Sequence, residues 1–66
     1  MNDYGLFIDE KVRVITMVLF RNGRKINTHY IGHLITYSNV DIILKELDGT
    51  KVRISRKHIK RIEKIS

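Results

Sequence analysis

The chain has 66 residues, room for one domain whose small core buries about 60% of the unfolded surface. It has no cysteine, which excludes disulfides, thiolate metal sites and cysteine nucleophiles, and no proline, so its elements are expected to run unbroken between glycine or asparagine turns. Thirteen Lys and Arg against seven Asp and Glu give a net charge of +6, and 42% apolar with 30% charged residues is the composition of a folded domain.

Residues 1–10 (MNDYGLFIDE) read as a short lead-in to a β-barrel spanning residues 11–66, all one domain. They hold Asp3, Asp9 and Glu10 and no base. Tyr4, Leu6, Phe7 and Ile8 need burial, which places the segment across an open sheet edge or barrel end. One helical turn fits there, weakened by Gly5. From Val12 onward the period is two. Val12, Val14, Thr16, Val18 and Phe20 share one face and Ile15, Met17 and Leu19 the other, with the β-branched enrichment of a strand. Apolar residues on both faces imply a strand that is buried twice, bends through a barrel, or faces another subunit. Asn22-Gly23 then predicts a two-residue hairpin with positive φ at both central residues.

The return strand runs from Lys25 to Tyr37, with Ile26, Tyr30 and Leu34 on one face and Ile31, Ile35 and Tyr37 on the other. Gly32 lies mid-strand and marks a bulge, a bend or a close backbone approach; a long strand with such a glycine is how a small barrel turns its corner. Ser38-Asn39 makes the next turn, Val40–Leu47 the third strand, and Asp48-Gly49 a second hairpin. The fourth strand, Thr50–Ser55, turns Val52 and Ile54 inward and Lys51 and Arg53 outward. Ile59, Ile62 and Ile65 recur every three residues, which predicts a 3₁₀ turn running into a short last strand. The rival is an amphipathic helix over Arg56–Lys64, N-capped by Ser55; it is disfavoured because so short an isolated helix is marginal. The predicted fold is all-β: a five-stranded, SH3-like barrel with a 3₁₀ turn before the last strand.

The last quarter of the chain carries the charge. Lys51, Arg53, Arg56, Lys57, Lys60, Arg61 and Lys64 stand against Glu63 alone, a local +6 equal to the whole net charge. Such a cluster attracts polyanions, although charge also keeps small proteins in solution. Catalytic signatures are missing: there is no P-loop, no dinucleotide fingerprint and no nucleophile elbow. Asp9 and Glu10 are adjacent acids, which on a strand point to opposite faces and cannot share a proton. His29 and His33 share a strand face but lie roughly 13 Å apart, too far for one ion. No enzyme, metal site or cofactor is therefore expected. Arg56-Lys57-His58 at a barrel rim can donate to phosphates and base edges, and Tyr37 and Asn39 at the neighbouring turn can stack and hydrogen-bond. The candidate nucleic-acid-binding residues are Tyr37, Asn39, Lys51, Arg53, Arg56, Lys57, His58, Lys60 and Arg61.

Gly32 to Leu44 (GHLITYSNVDIIL) resembles the first motif of the Sm-like family, with its strand glycine, an apolar residue two later, an aromatic turn and a hydrophobic third strand. Val52 to Ile62 (VRISRKHIKRI) resembles the second Sm motif, and Lys57-His58 is similar to the lysine-histidine pair of the Hfq-like RNA-binding proteins. Ser38 stands where that family has an aspartate. The stretch around NGRK and GHLITYSNV also looks like the small SH3-like proteins of the Veg type. The Sm-like resemblance implies rings of six or seven copies built by strand addition, binding single-stranded RNA with Tyr37 and Asn39 at a base and Lys57 and His58 at base or phosphate.

The expected function is a non-catalytic module that binds nucleic acid, RNA rather than DNA, as a cytoplasmic homo-oligomer with no membrane partner. No apolar run approaches the ~18 residues of a membrane span, and no secretory leader is visible. Two rivals remain: an SH3-like protein-interaction or assembly subunit, phage or ribosome-associated, and a small architectural protein of double-stranded DNA.

Overall fold

The computed structural model describes residues 4–65; the first three residues of the lead-in, Asp3 among them, and Ser66 lie outside the described residues. Five antiparallel strands form one bent sheet: β1 (Lys11–Leu19), β2 (Lys25–Tyr37), β3 (Asp41–Glu46), β4 (Lys51–Ser55) and β5 (Ile59–Lys64). A 3₁₀ turn at Tyr4–Phe7 precedes them, and a second at Arg56–His58 separates β4 from β5. The strand order is β4-β3-β2-β1-β5, so β4 and β5 are the two edges. All-β, small and barrel-like with a 3₁₀ turn before its last strand, the fold is the one expected; the helix considered over Arg56–Lys64 is absent.

Alternation builds the core. Val12 and Val14 of β1, Leu34 of β2, Ile42 and Leu44 of β3 and Ile54 of β4 are buried, and Ile59 and Ile62 of β5 pack against them. The sheet thus curls until its two edges line one core. Burying six such side chains contributes roughly 1.5–3 kcal/mol each, the main force that folds so short a chain. Thr16 is buried too, and its hydroxyl donates to the Thr28 carbonyl at 3.2 Å, which satisfies it.

Two bulges bend the sheet. Leu34 faces Leu44 but Thr36 faces Ile43, so Ile35 is the extra residue in β2. The alternation resets there, and Tyr37, read from the sequence as sharing a face with Ile31 and Ile35, instead pairs with buried Ile42. Gly32, three residues earlier, makes a close approach: a β-carbon there would collide with the Lys45 carbonyl of β3. In β5 the shift falls between Ile59, opposite Thr16, and Arg61, opposite Ile15, which leaves Lys60 extra. That bulge explains the spacing of three between Ile59 and Ile62, since both now reach the core.

Both glycine hairpins differ from expectation. Gly23 N–H donates to the Phe20 carbonyl at 2.9 Å and Gly49 N–H to that of Glu46 at 2.9 Å, and within these two loops only the glycines have positive φ, 82° and 93°. These are three-residue loops with glycine in the left-handed bulge position, not two-residue turns. Asn22 and Asp48 hold them through side-chain oxygens that accept from Arg24 N–H and Thr50 N–H, each at 2.9 Å.

The lead-in closes one barrel end. Tyr4 is buried, and Asp9 N–H donates to the Leu34 carbonyl at 2.8 Å beside a parallel bridge from Ile8 to Leu34. Leu6, expected to be buried, is 73% exposed. At the other end β1 and β2 outrun their neighbours. Pairing of β1 with β5 stops at Thr16 and pairing of β2 with β3 begins at Gly32, so residues 17–27 project as a two-stranded arm. The accessible surface is 4948 Å², against about 4,400 Å² for a compact chain of this mass. Leu19, Phe20 and Ile26 on the arm are exposed.

Candidate nucleic-acid interface

The rim lies where the β2–β3 turn meets the second 3₁₀ turn. Ser38 organises the turn: its N–H donates to the Asp41 carbonyl at 2.8 Å and its hydroxyl donates to the Asp41 carboxylate at 3.0 Å. The same hydroxyl oxygen accepts from Val40 N–H and Asp41 N–H, each at 3.2 Å. Ser38 therefore closes this turn itself. Arg56 ties the turn to the strand end, its N–H donating to the Val40 carbonyl at 2.9 Å and its guanidinium to the Ser38 carbonyl at 2.7 Å. Its guanidinium also lies 4.5 Å from the centre of the Tyr4 ring, which is 6.2 Å from the Tyr37 ring.

These contacts sort the candidates. Asn39, Arg56 and Lys57 line one surface hollow of about 300 Å³ with Val40 and Ser55. Tyr37, 42% exposed, does not line it; its ring neighbours that of Tyr4, which in turn lies against the Arg56 guanidinium. Arg56 is engaged by a ring and two carbonyls, so its first task is to hold the rim together. His58, placed with Lys57 by the sequence, turns away: it is half-buried in a separate hollow with Thr16, Tyr30 and Arg53. The 3₁₀ geometry separates adjacent side chains by about a third of a turn, which divides the pair.

The remaining candidates lie elsewhere. Lys51 and Arg53 are on the outer face of β4, and Arg53 pairs with Asp41 at 3.4 Å. Lys60 and Arg61 lie on β5 in a different hollow from the rim, and Arg61 pairs with Glu63 at 3.1 Å. Glu63 also takes Arg13 at 3.1 Å, and Lys64 meets Glu10 at 3.7 Å. Of the C-terminal cations, Lys51, Arg56, Lys57 and Lys60 make no ion pair among the described residues, and neither do Arg21, Arg24 and Lys25 at the arm tip. Sequence reasoning passed over these arm cations because it summed charge by segment. The signal was there: residues 11–40 contain no Asp or Glu.

Among the described residues no three His, Asp or Glu side chains converge as metal ligands. No helix among them is long and apolar enough to cross a membrane. Comparison of the chain with protein-family models, with curated proteins and with solved structures finds no match.

Proposed function

We propose that the chain is a non-catalytic nucleic-acid-binding module that holds single-stranded RNA at the rim. The observation that carries this reading is the convergence of Asn39 and Lys57, from separate elements, on one hollow whose Arg56 is linked through the Tyr4 ring to the exposed Tyr37. Tyr37 stacks on a base, the Asn39 amide hydrogen-bonds its edge and Lys57 meets the phosphate, while Arg56 keeps the two turns at a fixed separation. The Sm-like resemblance supports a homo-oligomer of six or seven copies in the cytoplasm. Consistent with it, β4 and β5 are both uncovered edges, so β4 of one copy can add to β5 of the next, a head-to-tail contact that closes into a ring.

The clean test variant is Lys57→Ala with Asn39→Ala, both exposed, since removing Arg56 would also loosen the rim. Affinity for a 20-nucleotide oligouridine falls about tenfold or more in moderate salt while the thermal midpoint is unchanged. Wild-type affinity in that variant overturns the rim site.

A second reading, an SH3-like protein-interaction or assembly subunit, is favoured by the exposed Leu19, Phe20 and Ile26 on the arm. It predicts only weak binding to RNA of any kind and a partner protein recovered by pull-down. Preference for duplex over single strands would instead mark an architectural DNA-binding protein, whose two-stranded arm would enter the groove.

A further inference from the structure

The bulge in β5 does something that regular alternation forbids. Consecutive strand residues point to opposite faces, yet Lys60 and Arg61 line the same surface hollow, of about 350 Å³. Both stand opposite Ile15 of β1, because Lys60 is the inserted residue. On its other side Ile15 pairs with His29 of β2, and Asn27 follows one step along the same face. The hollow therefore has an aliphatic floor, two adjacent cations on one wall, and an amide and an imidazole on the other.

No carboxylate lines it. Arg61 is paired with Glu63, but that carboxylate is shared with Arg13, so the trio keeps one positive charge and Lys60 adds another. The cationic line continues beyond the hollow. Lys25 follows Asn27 on the same face of the arm, and Arg24 and Arg21 flank the tip in a stretch free of acids. A small free anion needs only the hollow, whereas a strand of phosphates uses the whole line.

We infer that this hollow is a second nucleotide site for the same single strand. Lys60 and Arg61 hold a phosphate, Ile15 supports the base, and Asn27 and His29 hydrogen-bond its edge; the strand runs on along the arm toward Arg24. The inference rests on the RNA-binding reading and extends it from the rim to a second contact. Because Lys57 and Lys60 are three residues apart across the junction of the 3₁₀ turn and β5, one strand can serve both sites.

The test is Asn27→Ala with His29→Ala, two exposed side chains whose loss at pH 7.5 leaves the formal charge unchanged. Affinity for the 20-nucleotide oligouridine drops about tenfold with the salt slope kept. Lys60→Ala, by contrast, lowers the slope by about 0.7. Uridine monophosphate binds far more weakly than the oligomer. If Asn27→Ala/His29→Ala binds as wild type while the rim variant is weakened, this second site is wrong and the rim stands. If only the rim variant keeps wild-type affinity, the rim is wrong and the hollow is the binding site. Equal affinity for the mononucleotide and the oligomer would overturn the assignment to a strand.

Discussion

At Gly32 the β2 backbone lies so near the Lys45 carbonyl that no β-carbon fits between them. Backbone cannot swing aside as a side chain can, so Gly32→Ala costs about 3 kcal/mol, the upper range for overpacking. Gly23→Ala meets no neighbour and has only its positive φ of 82° against it, costing about 1 kcal/mol; denaturant unfolding of both variants measures the contrast. Asp48 shows the same local logic in its charge. Hydrogen bonds from the Thr50 backbone and then its side chain hold the carboxyl below its ordinary 3.8. Since the folded value is depressed, the support it gives the β3–β4 hairpin is present above pH 3.8 and lost as pH falls through the folded value. The Thr50 amide resonance is expected to move only in that acid range and to stay fixed from pH 5 to 8, as followed by NMR. Residue identity made both glycine turns legible, but the partners of Arg56 and the face taken by Tyr37 depend on Tyr4 and on a bulge that no local pattern marks.

At the scale of elements, period-two alternation revealed β1 through β4 within a residue or two, because one face of each strand must be dry. Bulges broke the reading where they occurred. An inserted residue resets alternation, so the isoleucines of β5 mimic a threefold period while obeying a twofold one. Deletion of Lys60 should therefore leave Ile59 and Ile62 facing inward across a now regular ladder, with cooperative unfolding retained in denaturant, while Arg61 loses its neighbouring cation. The arm was invisible because strand lengths, not strand patterns, create it: β1 and β2 outlast β5 and β3. A two-stranded ribbon without further support is marginal in water. Amides of Met17–Leu19 should accordingly exchange at least about tenfold faster than those of Val12–Val14, a difference that hydrogen exchange reads directly.

Across the whole molecule, folding redistributes what the sequence concentrates. The C-terminal surplus of +6 is divided among ion pairs on β4 and β5, a structural arginine at the rim, and three lysines without ion pairs on three different surfaces. The sequence showed how much charge there was; only the register showed where it remained available. If the two edges, β4 and β5, pair between copies as proposed, six or seven 7.8 kDa chains sediment together at about 47 or 55 kDa. A monomer would remove the ring while leaving the rim and the β5 hollow to be judged on their own tests.

The most direct measurement is the affinity of the wild-type chain for a 20-nucleotide oligouridine, by fluorescence anisotropy, across a salt series from about 50 to 300 mM. Four to six lysine and arginine contacts with a single strand predict that log K falls linearly with log salt, with a slope of about −3 to −4. No binding at the lowest salt, or an affinity indifferent to salt, would contradict the assignment of this surface to RNA.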